Sequence, residues 1–317
     1  MKTPAHLSFG NLMPRASLAV AVSMALSIGQ LLSMAQVDDF NDGNDNGWFR
    51  YDPLAALGQG SQGIWTLANG RYQLQALPSP SPSAAGPGRI GSLRQDVVRT
   101  NFYVAVDFTA WDNDLNQSFG ILARVHDVGL GSTKGYALTY QTFYKDIQLS
   151  VVTRESATQM QPVSTTSPAV TLYPTNVYRM VFIGQGDQFE GRIYLASDLS
   201  TPLVVATGTD STYAAGTVGL VVYDNSSSQN NPADATFDNF VSAASQPVTL
   251  GIQISNIGEV TVTWPVSASG FSLQWSEALG DSAVWNTVSS GQITTVGGEF
   301  VYMDDGTTGT KFFRLAQ

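Results

Sequence analysis

The chain has 317 residues, of which 43% are hydrophobic and 13% are charged, and its formal net charge is −10. It contains no cysteine and only two histidines, which excludes disulfides, thiol nucleophiles, cysteine-ligated zinc and a histidine cluster for zinc or copper. The acidic balance argues against nucleic acid and anionic membrane surfaces as partners. Many Gly, Ser, Thr and Val and few Glu and Lys favour an all-β protein of one large or two ordinary domains.

The first 35 residues differ from the rest of the chain. Lys2 and Arg15 precede an uncharged apolar run over 16–32, and Ser33-Met34-Ala35 places small residues at positions that a signal peptidase recognises. This pattern predicts a signal peptide over 1–35, cleaved after Ala35. A retained N-terminal membrane anchor is the alternative. We expect an exported bacterial protein, secreted or at the cell surface, with no membrane span in the mature chain.

Short strands with period-two alternation follow from about residue 36 to residue 242. Asn69-Gly70, between two alternating runs, predicts a β-hairpin, whereas the proline-rich stretch 78–88 predicts an exposed loop. In the run 119–126, alternation places Ile121, Ala123 and Val125 on one face and Arg124 and His126 on the other. The run 102–108 also alternates, with Val104, Val106 and Phe108 on its apolar face. Further strand patterns lie at 135–140, 147–152, 177–182, 189–195 and 218–223. About a dozen short strands without an amphipathic helix predict a sandwich or barrel.

Two aromatic segments punctuated by Asp and Asn stand at the ends of this region. One is Val37-Asp38-Asp39-Phe40-Asn41-Asp42-Gly43, and the other is Ala235-Thr236-Phe237-Asp238-Asn239-Phe240-Val241-Ser242. We expect them to be the first and last strands of one sandwich and to lie side by side.

The composition changes after Ser242. Residues 243–247 are typical of a linker, and seven short strand patterns fill 248–317, which predicts a small Ig-like sandwich. Trp264, Trp275 and Trp285 are its expected core anchors.

Several motifs of the first region resemble concanavalin A-like (LamG-type) jelly-roll domains, and the resemblance covers about residues 37–242. They are Asp38-Asp39-Phe40 with Gly47-Trp48, Phe119-Gly120-Ile121-Leu122-Ala123-Arg124 before Gly135-Tyr136, Val177-Tyr178-Arg179-Met180-Val181, Gly216-Thr217-Val218-Gly219-Leu220, and Phe237-Asp238-Asn239-Phe240. The resemblance implies an antiparallel jelly-roll β-sandwich.

The last region resembles a fibronectin-III-like module of secreted bacterial proteins. The matching residues are Val260-Thr261-Val262-Thr263-Trp264, Phe271-Ser272-Leu273-Gln274, Trp285, Asp304-Asp305-Gly306 and Lys311-Phe312-Phe313-Arg314-Leu315. The full module has one more strand after the Phe-Arg-Leu strand, whereas the given sequence stops at Gln317. Either that strand is missing or the topology differs, and we expect an unpaired edge here, open to self-association or to another surface.

Calcium is the best metal candidate, because Asp39 and Asp238 fall in the two segments expected to be neighbours and Ca²⁺ prefers carboxylate and carbonyl oxygens. The resemblance implies a structural calcium bridging such strands, with the closing-strand Asp as a ligand. Solvated acids that cap turns are the alternative.

A glycan site needs aromatic rings for stacking and planar polar side chains for hydroxyls. The candidates for carbohydrate binding are Asp107, Trp111, Arg124, His126 and Tyr140, with Tyr144 near a strand end. Core packing of the aromatic residues and simple solvation of the histidine are the alternatives.

Catalysis has little support in the sequence. Glycoside hydrolysis needs two carboxylates at a defined separation, and the Glu-x-Asp-x-x-Glu pattern of laminarinase-type relatives is absent. Asp107 and Glu190 could meet only across a sheet. We therefore expect non-catalytic recognition of a polysaccharide or surface glycan. The alternatives are a structural or adhesive protein that binds other proteins or itself, and a divergent glycoside hydrolase.

Overall fold

The computed structural model describes residues 35–155, 160–162, 168–226, 232–248, 250–256, 258–268, 270–280, 283–297, 299–306 and 310–316. The expected signal peptide lies outside these residues, apart from Ala35. Within them, no helix is long and apolar enough to cross a membrane.

The described chain is almost entirely β-strand, with one helical turn, α1 (Pro82–Ala85), and three short 3-10 turns, Pro53–Leu57, Val266–Ala268 and Ser290–Gln292. The strands are β1 (Gln36–Asp38), β2 (Trp48–Tyr51), β3 (Gly63–Ala68), β4 (Arg71–Ala76), β5 (Arg89–Arg94), β6 (Phe102–Thr109), β7 (Gln117–His126), β8 (Lys134–Gln141), β9 (Asp146–Val152), β10 (Met160–Pro162), β11 (Tyr178–Gln185), β12 (Gln188–Leu195), β13 (Val204–Thr209), β14 (Thr217–Asp224), β15 (Ala233–Ala243), β16 (Gly251–Ile254), β17 (Val260–Pro265), β18 (Ser272–Ser276), β19 (Asn286–Thr287), β20 (Ile293–Val296), β21 (Glu299–Asp304) and β22 (Phe312–Ala316).

The chain divides into two compact units, with the boundary between Pro247 and Val248. The first unit is an antiparallel jelly-roll β-sandwich. One sheet has the order β13-β12-β11-β6-β15-β4-β3, with β1 also paired to β15, and the other has the order β10-β9-β8-β7-β14-β5-β2. Apolar side chains that alternate along the strands of both sheets face each other and form one core. The side chains of β6 that enter this core are the ones that alternation predicts. Gly191 lets the sheets approach closely, because a Cβ there would lie 2.3 Å from a methyl carbon of Leu138.

The expected pairing of the opening and closing segments is confirmed. Strand β1 runs antiparallel to the end of β15, with Val37 opposite Val241 and Asp38 opposite Phe240. The aromatic side chains of both segments meet at Trp48, whose ring centroid lies 5.8 Å from that of Phe40 and 4.7 Å from that of Phe240. The first and last strands therefore close the same region of the core.

The predicted hairpin at Asn69-Gly70 also forms. Strands β3 and β4 pair directly across it. Asn69 and Gly70 both have positive φ, 54° and 67°, which is the two-residue turn that this sequence favours.

The second unit is a small antiparallel β-sandwich. It has a four-stranded sheet, β16-β17-β21-β20, and a three-stranded sheet, β19-β18-β22, and all seven strands overlap the predicted ones. Trp264 is buried at its centre and Trp275 packs against the core. Trp285 is not a core anchor, because it is only half-buried and its ring lies 4.1 Å from the guanidinium carbon of Arg314.

Candidate functional site

The five residues predicted to bind carbohydrate do not converge on one surface. Trp111 and Tyr140 lie in the core, where the ring of Trp111 contacts that of Phe119 at 5.3 Å. Arg124 lies five residues further along β7 than Phe119, a distance of roughly 16 Å at the strand rise of about 3.3 Å per residue. Arg124 and the two buried aromatic residues are therefore near opposite ends of the sandwich.

Arg124 is a buried structural cation and not a surface residue. Its side chain is 2% exposed, and its guanidinium donates to the backbone carbonyls of Thr100 (2.8 Å), Tyr213 (2.8 Å) and Gly186 (2.6 Å). Burial lowers the pKa of Arg124 from its ordinary value. All three carbonyls belong to segments just outside strands, so Arg124 ties together three loops at one end of the sandwich.

A β-bulge explains why alternation failed at this position. The register between β7 and its neighbours shifts after Ala123, and Arg124 has a φ of 49°. An extra residue in one strand reverses the face of the sheet to which each following side chain points. Ile121 and Ala123 face the core as predicted, but Val125 joins the apolar cluster on the other face of the sheet.

The two remaining candidates are also separate. Asp107 lies on the outer face of the first sheet, 2.8 Å from the guanidinium of Arg179, and it accepts from the amide of Asn239 at 2.9 Å. His126 is about one-third exposed, with Nδ1 3.3 Å from Asp127, and its ring is edge-on to that of Tyr213 at 4.9 Å. The side chains of Asp107 and His126 therefore do not lie in one groove.

The carboxylates considered for glycoside hydrolysis are too far apart. Glu190 pairs with Ile183, which pairs with Tyr103, four residues before Asp107 on β6. Two strand spacings and four residues separate the two acids by roughly 16 Å, whereas glycosidases hold their carboxyl groups about 5–9.5 Å apart. Each acid is also bound to its own arginine, Asp107 to Arg179 and Glu190 to Arg192.

Asp39 and Asp238 lie near each other but do not form a complete metal site. Asp39 is exposed and accepts from the backbone N–H of Asn41 at 3.2 Å, and Asp238 accepts from that of Asn239 at 2.7 Å. Burial raises the pKa of Asp238, and the charges of Asp107 and Asp39 add to this effect. Within the described ranges, no three or more His, Cys, Asp or Glu side chains are grouped to hold a metal ion. Calcium at this pair stays a prediction.

Among the described residues, the most exposed aromatic side chains lie in the loops after β8 and before β11, at the end of the sandwich that also holds the loop after β6. We call it the aromatic loop end and define it as the loops 110–116, 142–145 and 170–177. Phe143 is 65% exposed, Tyr144 63% and Tyr173 59%. Phe143 and Tyr144 are in edge-to-face contact, with ring centroids 5.1 Å apart. Large apolar side chains exposed together are typical of binding surfaces.

Hydrogen bonds fix these loops to one another. The backbone N–H of Thr142 donates to Gln117 (3.0 Å), and that of Val170 donates to Lys145 (2.5 Å). Asn113 accepts from the indole of Trp111 at 2.7 Å and donates to the carbonyl of Leu172 at 3.1 Å. Trp111 and Tyr140 are therefore buried residues that help to hold these loops, through Asn113 and the carbonyl of Val170.

The same loops also carry polar groups. Asp112, Asp114 and Lys145 are exposed in the same loops, and the side-chain oxygen of Asn116 is buried without a hydrogen-bond partner among the described residues. Asp146, at the base of the 142–145 turn, is buried, and burial raises its pKa. The loop end thus offers rings for stacking beside carboxylate and ammonium groups for hydroxyls.

Sequence reasoning found Tyr144 but missed Phe143 and Tyr173. The available sequence indication was the pair Phe143-Tyr144 itself. It stands between two alternating runs whose core positions are already filled by Tyr140 and Ile147, so at least one of its rings had to face solvent.

Comparisons with known proteins concern the fold alone. No family model matches the sequence, and no curated protein sequence matches it. Among solved structures, the chain is similar to the carbohydrate-binding module CBM66 from Bacillus subtilis, at 15% identity and a TM-score of 0.44, over 62% of this chain and 95% of that one. It is also similar to the basic winged bean lectin with Tn-antigen, at 12% identity and a TM-score of 0.42, over 66% of this chain and 96% of that one. A protein of unknown function from Shewanella oneidensis matches at 14% identity and a TM-score of 0.43, over 68% of this chain and 89% of that one.

Proposed function

We propose that this chain is an exported, non-catalytic recognition protein that binds a polysaccharide or surface glycan through the aromatic loop end. The observation that carries the proposal is the pair Phe143 and Tyr144, which are mostly exposed and in mutual contact on a turn held in place by its neighbours. A preformed ring surface costs little conformational entropy on binding, and the apolar faces of sugar rings stack on such surfaces.

The surrounding charges suit a neutral or weakly charged glycan. Asp112 and Asp114 can accept hydrogen bonds from sugar hydroxyls, and Lys145 can donate to them. The mixture of signs disfavours strongly anionic or cationic polymers. The same proposal includes a signal peptide over 1–35 and a location outside the cell or at its surface. It also includes a role for the second unit, as a fibronectin-III-like module that displays the jelly roll.

A glycan array with the chain from residue 36 to 317, run with and without calcium, tests the proposal. We expect binding that the double substitution Phe143→Ala, Tyr144→Ala weakens at least about fivefold, since aromatic contacts contribute about 0.5–1.5 kcal/mol each. Phe49→Ala is the matched control, because Phe49 is an exposed ring, 46% accessible, on a different part of the jelly roll. An array without binding under both conditions overturns the proposal, as does equal weakening by the control.

Self-association is a second candidate function, favoured by one observation in the small sandwich. Strand β22 pairs with β18 on one side, and no strand among the described residues pairs with its other side. An open edge can add a strand from another chain. Concentration-dependent assembly in analytical ultracentrifugation that is lost on deleting 246–317 would support this candidate, and a monomer at all concentrations would remove it.

A further inference from the structure

A polar row crosses the three-stranded sheet of the second unit, on the face that points away from its core. Leu273 and Phe313 are buried in that core. The residues that follow them, Gln274 and Arg314, therefore face outward. The row runs from Arg314 through Gln274 to Thr287, which lie opposite one another in adjacent strands. At a strand spacing of about 4.8 Å the row spans roughly 10 Å, so it offers room for a ligand larger than a single ion.

Contacts on two sides hold the guanidinium of Arg314 in a fixed position. Its central carbon lies 4.1 Å from the ring centroid of Trp285, which is the stacked geometry that arginine forms with aromatic rings. Its Nε donates to the side-chain oxygen of Gln274 at 2.9 Å, and the amide of Gln274 donates in turn to the hydroxyl of Thr287 at 3.2 Å. Because the side chain is already ordered, a ligand that binds it avoids much of the entropic cost of fixing a long side chain.

The guanidinium has a free edge. Among the described residues, no carboxylate pairs with Arg314, and neither of its terminal nitrogens donates a hydrogen bond. Neither nitrogen belongs to the buried polar atoms that lack a partner, so both reach solvent. The other basic residue of this unit, Lys311, is 2.6 Å from Asp304. Arg314 thus differs from Lys311 in having its charge available for an external anion.

The chemistry of this edge selects a carboxylate. Two parallel N–H groups match the two oxygens of a carboxylate in a bidentate pair. The second unit carries six acidic residues against two basic ones, and their repulsion disfavours a doubly charged phosphate more than a singly charged carboxylate. At the other end of the row, Thr287 is exposed, and its hydroxyl can form a hydrogen bond with a ligand hydroxyl. Uronic acid sugars carry a carboxylate and hydroxyls close together on one ring.

We propose that this row binds a uronic acid residue of an acidic polysaccharide, with the carboxylate on the terminal nitrogens of Arg314 and a ring hydroxyl at Thr287. The second unit then has a binding role of its own, in addition to display of the jelly roll. The row shares no residue with the aromatic loop end, so this site does not depend on glycan binding by the jelly roll.

The probes are the methyl glycosides of D-glucuronic and D-galacturonic acid. Their neutral matches are methyl D-glucoside and methyl D-galactoside, which carry a hydroxymethyl group in place of the carboxylate. Each is titrated at low salt into the chain from residue 36 to 317, and NMR follows the Nε–H of Arg314 and the indole N–H of Trp285. We expect saturable shifts with at least one acidic glycoside. Its neutral match should bind at least about tenfold more weakly, the equivalent of about 1.4 kcal/mol, and added salt should weaken the acidic probe because exposed charges are screened.

Substitutions in the row test each contact. Arg314→Lys keeps the charge but loses the bidentate edge, and it should weaken the acidic probe at least about fivefold, whereas Arg314→Gln should abolish its binding. Thr287→Val keeps the volume and removes the hydroxyl, and it should weaken the probe about threefold. Arg71→Lys is the matched control, because Arg71 is a 46% exposed arginine of the jelly roll, and it should leave binding unchanged. The Phe143→Ala, Tyr144→Ala variant should also leave it unchanged.

Three results would overturn the proposal. The first is absence of binding by both acidic glycosides, and the second is equal affinity for an acidic glycoside and its neutral match. The third uses N-acetyl-aspartyl amide, a peptide-like carboxylate. If it binds as tightly as the acidic glycosides and Thr287→Val does not weaken them, the site recognises acidic protein segments instead of sugars. Arg314→Lys keeps a cation over Trp285, so a thermal melt equal to that of the wild type shows that its weaker binding is not a folding defect. Failure of the glycan array with the Phe143 and Tyr144 surface leaves all of these outcomes unaffected.

Discussion

Replacement of Arg124 by methionine separates a structural role from a ligand-binding one. Methionine keeps much of the length and packing of the side chain but donates no hydrogen bond. The three carbonyls that Arg124 holds, those of Thr100, Gly186 and Tyr213, would then need water. The ring faces of Phe102, Tyr136 and Phe189 would lose the cation that lies 5.0–5.8 Å from their centroids.

The expected cost follows from these contacts. Each hydrogen bond contributes about 1 kcal/mol net, and the cation–ring contacts add about 0.5–1 kcal/mol. The three carbonyls belong to partly exposed loop residues. Water can therefore donate hydrogen bonds to them, which reduces the free-energy cost of the substitution. We expect Arg124→Met to lower the free energy of unfolding of the jelly roll by about 3 kcal/mol. Arg124→Lys, which can reach fewer carbonyls, should cost about 2 kcal/mol.

Hydrogen exchange as a function of urea measures this effect in the jelly roll alone, because peptides from β6 and β8 report its unfolding separately from that of the second unit. Arg71→Met is the matched control. Arg71 is 46% exposed and its nearest carboxylate is 4.0 Å away, so its loss should cost less than about 1 kcal/mol. A cost below about 1 kcal/mol for Arg124→Met, accompanied by loss of glycan binding, would refute the structural role and restore the original hypothesis.

Three further predictions concern buried or paired carboxylates. Burial raises the pKa of Asp146, and one of its oxygens has no partner among the described residues. A raised carboxyl pKa favours the folded state at low pH, and this contribution is lost as pH rises through the folded-state pKa. Asp146→Asn should therefore raise the melting temperature at about pH 7 and change it little at about pH 3, and equal shifts at both would contradict the reasoning. Glu155→Gln leaves Arg89 buried without its charge partner, and it should cost about 3 kcal/mol in urea unfolding; a neutral result would show that the pair is solvated. EDTA should lower the melting temperature if calcium binds, and Asp238→Ala should remove that response; an unchanged melt in EDTA rules the ion out.

Local sequence patterns predicted the strands well because their periodicity is a backbone property. The alternation in Phe102–Phe108 predicted which side chains enter the core, and Asn69-Gly70 predicted a hairpin at the right residues. The pairing of the first and last strands was also correct, since both segments carry large aromatic residues that can be buried together.

The site was predicted less well, for reasons visible in particular residues. The bulge after Ala123 shifts the register of β7 and turns Arg124 inward, and no residue pattern in the run 119–126 marks the extra residue. Trp111 and Tyr140 have the chemistry of a sugar platform, but both side chains are packed in the core. Burial is decided by which strands pack together, and a single strand does not contain that information.

The sequence by itself determined the class, the strand positions, the hairpin and the absence of disulfide or thiol chemistry. These follow from residue types and from the two-residue period of a strand. Only the tertiary structure decided that Arg124 ties three loops, that Asp107 and Glu190 stand apart on one sheet, and that Arg89 and Glu155 meet in a buried ion pair. The reason is that strands distant in sequence become neighbours through sheet order and register, and these depend on the whole chain at once.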